Sequence, residues 1–94
     1  MSNLLIRSLL PETGSTASEM EVTNVRQIDA DHVAVVCKRD GVNYEDSCVA
    51  EKQVMDTLVQ VPAGKKVVAS FGKLLDGSGA ENVVVTTASV IAAE

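Results

Sequence analysis

Aromatic side chains are almost missing from this chain, whose 94 residues include one Phe, one Tyr and no Trp. A core without them must be filled by small branched side chains, and Val and Ala supply much of the 46% of residues that are hydrophobic. Such side chains pack well on pleated sheets, so the composition leans toward β structure. Histidine is just as scarce. His32 stands alone, which excludes a histidine-rich metal site and any two-histidine mechanism within one chain. No apolar run is long enough for a membrane-spanning helix, and the opening run from Leu4 is interrupted by Arg7 and ended by Pro11. That opening also lacks the ordered positive start, apolar centre and small-residue cleavage site of a secretory signal. A cytoplasmic location with no membrane partner is the expectation. In that reducing compartment Cys37 and Cys48 are expected to be free thiols within the core.

The excess of acidic residues gives a net charge of −5, which opposes nonspecific attraction to nucleic-acid phosphates but leaves room for a local basic patch. The chain is the size of one domain and only marginally stable alone, so a homo-oligomer is among the expected forms.

The clearest pattern lies between Val49 and Ala92. Ala50, Val54 and Leu58 recur at i, i+4 and i+8 with Met55 and Val59 beside them, while Glu51, Lys52, Gln53, Asp56 and Thr57 face away. This is one amphipathic helix. Pro62 ends it, and two β-branched runs follow, Lys66 to Leu74 and Asn82 to Ile91, separated by Asp76-Gly77-Ser78-Gly79. Upstream, Glu21 to Ile28 alternates imperfectly, His32 to Lys38 reads as a buried strand, and Asp40-Gly41 marks a tight hairpin into a strand over Val42 to Val49. Asn3 to Leu9 is a weak strand candidate, and Pro11 to Glu19 reads as loop. The expected organisation is an N-terminal strand or arm over residues 1–20 and a barrel domain over 21–94.

Strand, strand, strand, helix, strand, strand is the order of the oligonucleotide/oligosaccharide-binding (OB) barrel. The expected fold is therefore mainly β, a small five-stranded OB-like barrel with one short helix between strands three and four. Over residues 44–92 the chain also resembles bacterial and phage single-stranded-DNA-binding proteins. The matching features are Tyr44 on a strand, the helix Ala50 to Val59, Gly64-Lys65-Lys66, Gly72-Lys73-Leu74, a variable loop and the last strand. Two departures stand beside them. The family usually spaces its two glycines one residue closer than Gly64 and Gly72, and most of its stacking aromatics have no counterpart here.

The resemblance implies a noncatalytic module engaging single-stranded nucleic acid, with Lys38, Arg39, Lys65, Lys66 and Lys73 neutralising phosphates and Tyr44 and Phe71 stacking on bases. The alternative is a small acidic protein-binding, assembly or inhibitory accessory protein. No cofactor or metal is expected. Asp29, Asp31 and His32 read as turn chemistry, Gly77-Ser78-Gly79 lacks the Lys-Ser/Thr and helix of a phosphate loop, and the cysteines lack zinc-ligand spacing. An enzyme is not expected, since the cationic neighbours available in sequence to activate a thiol are only Lys38 and Arg39.

Overall fold

The computed structural model describes residues 4–91, so residues 1–3 of the expected arm and 92–94 of the expected barrel domain lie outside it. The chain runs β1 (Leu4–Leu5), a 3-10 turn (Ile6–Leu9), β2 (Thr16–Gln27), β3 (His32–Arg39), β4 (Val42–Val49) and α1 (Lys52–Leu58). A second 3-10 turn (Val61–Ala63), β5 (Lys66–Leu75) and β6 (Glu81–Ile91) follow. The protein is mainly β, with one six-stranded sheet and, among the described residues, a single short α-helix.

The pairings form a ring. β2, β3 and β4 make an antiparallel meander, β2 also pairs with β5, β5 with β6, and β6 returns to β4 in parallel through Val49 and Val84. β3 and β4 pair without a slip from His32↔Val49 to Arg39↔Val42. Their turn places Asp40 and Gly41 at φ +53° and +78°, the left-handed geometry that a two-residue hairpin of matching twist requires. The alternation of β3 is equally clean: Val33, Val35 and Cys37 are buried and their neighbours are not.

β2 differs from the expectation at both its start and its rhythm. It begins at Thr16, inside the stretch expected to be loop, and it crosses the expected division at residue 20. Its buried positions are Ala17, Met20, Val22 and Val25, so the intervals are three, two and three residues. Each three-residue interval coincides with a register shift, one against β5 between Ala17 and Met20 and one against β3 between Val22 and Asn24. A β-bulge inserts one unpaired residue and reverses the parity of everything beyond it. Glu19, at φ +53°, lies within the first.

Two apolar plugs occupy opposite ends of this ring. At the end where β2 and β4 finish and β3 begins, α1 contributes buried Met55 and Leu58. At the other end the N-terminal 3-10 turn and the residue after it contribute Ile6 and Leu10, both fully buried. The second plug is held by polar contacts. Asp46, the one buried charged residue among those described, accepts hydrogen bonds from Arg7 Nε at 2.8 Å, Arg7 Nη2 at 2.7 Å, the Arg7 backbone N–H at 3.2 Å and the Ser47 N–H at 2.8 Å. β1 lies parallel to β4, with Leu4 opposite Tyr44 and Leu5 opposite Glu45. Gly14 and Lys73 then tie the segment to β5, the Gly14 N–H donating to the Lys73 carbonyl at 2.8 Å. The expected strand over Asn3 to Leu9 is thus two strand residues and a turn, with Asn3 outside the described residues.

Candidate functional site

Because β3 and β4 alternate without interruption, their outward positions form one continuous surface with β2. Across it, Asn24, Val36 and Glu45 make one row, and Arg26, Ala34 and Ser47 the next. A groove of about 460 Å³ follows these rows, walled at one side by Leu5 of β1. Ala34 and Val36 give it a small apolar floor, while a guanidinium, an amide, a carboxylate and a hydroxyl stand around it. Among the described residues Arg26, which is exposed, has no hydrogen-bond or ion-pair partner, so its charge is available to an incoming group. Lys38, exposed, lies on the same outward parity two residues along β3 from Val36 and opposite Glu21.

The seven residues expected to form a site do not come together. Lys65 and Lys66 lie on the β2–β5 side, where they edge a shallow depression with Glu21 and Thr23. Lys38 is two strands from β5, about 10 Å by ordinary strand spacing, with Glu21 between. Arg39 is half-buried and donates to the Ser18 carbonyl at 3.1 Å, so it braces the start of β2. Lys73 is mostly covered and stands 3.9 Å from the Glu81 carboxylate at the base of the β5–β6 hairpin.

Phe71 is a correction. It is fully buried in the core, opposite Ala17 and Val85, and offers no ring face to a ligand. In a chain with one Phe, the largest apolar side chain fills the space that Val and Ala leave. Tyr44 sits at an inward position of β4 and packs half-buried against the same core under the N-terminal segment. The aromatic half of the expected site is therefore interior or partly interior.

Arg26 and Asn24 were missed by sequence reasoning because the bulge at Val22 to Asn24 reverses the parity of β2. The surviving signal was the imperfect alternation itself. The remaining candidates resolve locally. The Asp29 Oδ1 accepts from the Asp31 N–H, the His32 N–H and the His32 ring Nδ1, each within 2.9 Å, and these bonds hold its carboxyl below the usual range. Asp76 organises the hairpin tip in the same manner, accepting from the Ser78 N–H and hydroxyl, the Ala80 N–H and the Asn82 side chain. These bonds hold it well below the usual carboxylate range. Both cysteines are free and buried. Burial pushes the Cys37 thiol up to about 11 despite the nearby Arg39 charge, and burial, with the Asp46 charge added, pushes Cys48 up further. A thiol so placed is a poor nucleophile. Among the described residues no group of three or more His, Cys, Asp and Glu side chains is placed to hold a metal ion.

Comparison with protein-family models, with characterised proteins and with solved structures finds no match to the chain.

Proposed function

We propose that the protein is a noncatalytic binding module on an OB-like five-stranded barrel, engaging single-stranded nucleic acid across the outer face of β2, β3 and β4. The observation that carries this reading is the groove on that face, with Arg26, unpaired among the described residues, beside Asn24 and across Ala34 from Ser47, and with Lys38 beyond one end. The ring order adds support, because a meander, a helix and a returning hairpin in this sequence leave that face as a binding platform.

The chemistry differs from that implied by the resemblance. Stacking contributes about 1–3 kcal/mol per base where aromatic platforms exist. Here Phe71 is buried and Tyr44 partly so, which leaves phosphate neutralisation as the main attraction, with Arg26 and Lys38 on the groove face and Lys65 and Lys66 as a second cationic group. Affinity should be modest, steeply salt-dependent and indifferent to base sequence. The test is fluorescence anisotropy of a labelled single-stranded oligonucleotide across a salt series. Replacing Arg26 or Lys38 by Ala should weaken binding and lower the log–log salt slope by about 1 each. Absence of binding at low salt, where phosphate attraction is strongest, ends this reading.

A second reading, an acidic protein-binding, assembly or inhibitory accessory protein, draws on Leu74 and Leu75. They are 46% and 58% exposed at the end of β5, beside the hairpin tip. If that reading holds, Leu74→Ser/Leu75→Ser should abolish capture of a protein partner while leaving the melting temperature unchanged.

A further inference from the structure

Three polar side chains lining the groove across β2, β3 and β4 have no hydrogen-bond or ion-pair partner among the described residues: the Arg26 guanidinium, the Asn24 amide and the Ser47 hydroxyl. All three residues are exposed, and the last two carry no charge. Arg26 alone accounts for the attraction of a phosphate into the groove. Asn24 and Ser47 add nothing to neutralisation, yet they are the groups that stand around it.

Strand geometry sets how an incoming chain is shared among them. Asn24 lies two residues from Arg26 along β2, about 7 Å, and Ser47 lies two strands away in the Arg26 row, about 10 Å. The Glu45 carboxylate occupies the Asn24 row, so a phosphate is matched beside Arg26 and opposed in the next row. The floor between them is half-buried Ala34 and Val36, with Leu5 as a wall. Such a floor of methyl groups fits the C–H face of a sugar and presents no π face to a base. A phosphate on the Arg26 guanidinium therefore sets its adjoining sugars against Asn24 and Ser47, whose amide and hydroxyl each both donate and accept.

We infer, on the nucleic-acid reading proposed above, that the groove reads the ribose 2′-hydroxyl, so that its ligand is single-stranded RNA and Asn24 and Ser47 are the residues that distinguish RNA from DNA. The 2′-hydroxyl is the group by which a protein tells the two apart at a contact, and it both donates and accepts. A side chain that meets it exchanges a water contact for a direct hydrogen bond. A deoxyribose puts a C–H in the same place and leaves the amide or hydroxyl partly desolvated and unmatched. Because the groove is open to water, the difference is modest, about fivefold in affinity, the ratio expected of one net hydrogen bond. Base identity does not enter, since the contacts are to sugar and phosphate.

Fluorescence anisotropy of the full chain tests it with labelled single strands of one base sequence, uracil in each: RNA, its 2′-deoxy counterpart and its 2′-fluoro counterpart, which keeps an RNA-like sugar pucker without the hydroxyl. RNA should bind the wild type about fivefold tighter than either of the others, a comparison that needs no variant. Asn24→Ala/Ser47→Ala should bring RNA down toward the deoxy value while the salt slope stays that of the wild type, because neither side chain is charged. An unchanged melting temperature shows that the double variant, altered only on the exposed face, is folded. No binding of any strand at low salt ends the nucleic-acid reading and this inference with it. Affinities for RNA and the deoxy strand within about twofold, a 2′-fluoro strand that binds like RNA, or an RNA preference that survives the double substitution would each overturn the inference and leave the nucleic-acid reading standing.

Discussion

The two ends of the ring are closed by plugs of similar apolar content and opposite construction. α1 brings Met55 and Leu58 on a helix that satisfies its own backbone and announces itself by a 3.6-residue period. The N-terminal plug brings Ile6 and Leu10 on a single 3-10 turn that has no such period and is fastened by an ion pair spanning 39 positions of sequence. A helical plug is specified locally and then docked. The N-terminal plug has no independent existence, because a turn of four residues cannot hold itself together in water and Asp46 tolerates its inward position only while Arg7 covers it.

If both plugs are integral to one core, Leu58→Asp and Leu10→Asp should each abolish the folded protein, as judged by loss of the circular-dichroism transition and of soluble yield. The milder Leu58→Ala and Leu10→Ala should each cost about 2–5 kcal/mol in urea unfolding. A Leu10→Ala penalty near zero beside a full Leu58→Ala penalty would break the comparison and return the N-terminal segment to the status of an arm.

Arg7→Ala should come next, at about 3 kcal/mol, the lower part of the range for removing one partner of a buried pair because Arg7 is itself half-exposed. Adding Asp46→Asn should recover part of that loss, since the uncompensated buried charge goes with it. The same pair sets a pH dependence. Burial pushes Asp46 up, but the hydrogen bonds and charge of Arg7 outweigh it and hold the carboxyl below its ordinary value. A carboxyl depressed on folding contributes stability that is complete above its unfolded value near 4 and is lost as pH falls through its folded value. Urea midpoints measured from pH 5 downward should therefore fall, and Asp46→Asn should flatten that acid limb.

Smaller effects separate interior from surface. Cys37 and Cys48 should react with a thiol reagent slowly in the native protein at pH 8 and completely after denaturation without prior reduction. Recovery of no free thiol would contradict two buried, unpaired cysteines. Lys52→Ala, which removes an exposed i,i+4 contact of 3.0 Å with Asp56, should leave the urea midpoint unchanged within error.

The strands tell the same story as the plugs. β3 and β4 were legible because apolar parity persists from Val33 to Cys37 and Asp40-Gly41 demands a tight turn. β5, β6 and the helix were legible for similar reasons, and their ends fall within one or two residues of expectation. β2 was not. Two bulges reset its parity, so Thr16 to Glu19 read as loop and Arg26 was not assigned to the outer face. Of the expected site, Lys38 lies on that face, Lys65 and Lys66 on a neighbouring one, and Phe71 inside. Charge can be read from sequence, but the face it reaches depends on every bulge before it.

By itself the sequence determined the β-rich composition, the helix with Met55 and Leu58 on its buried side though not Val59, which is exposed, the hairpin at Asp40-Gly41 and the order of the elements after residue 28, because each rests on interactions within a few residues. Tertiary structure alone decided where β2 begins, which residues share the groove face and how the N-terminal end is closed. Those outcomes depend on pairings and contacts between distant positions, Arg7 with Asp46, Ala17 with Phe71 and Val49 with Val84, whose energy exists only once the ring has assembled and brought the partners together.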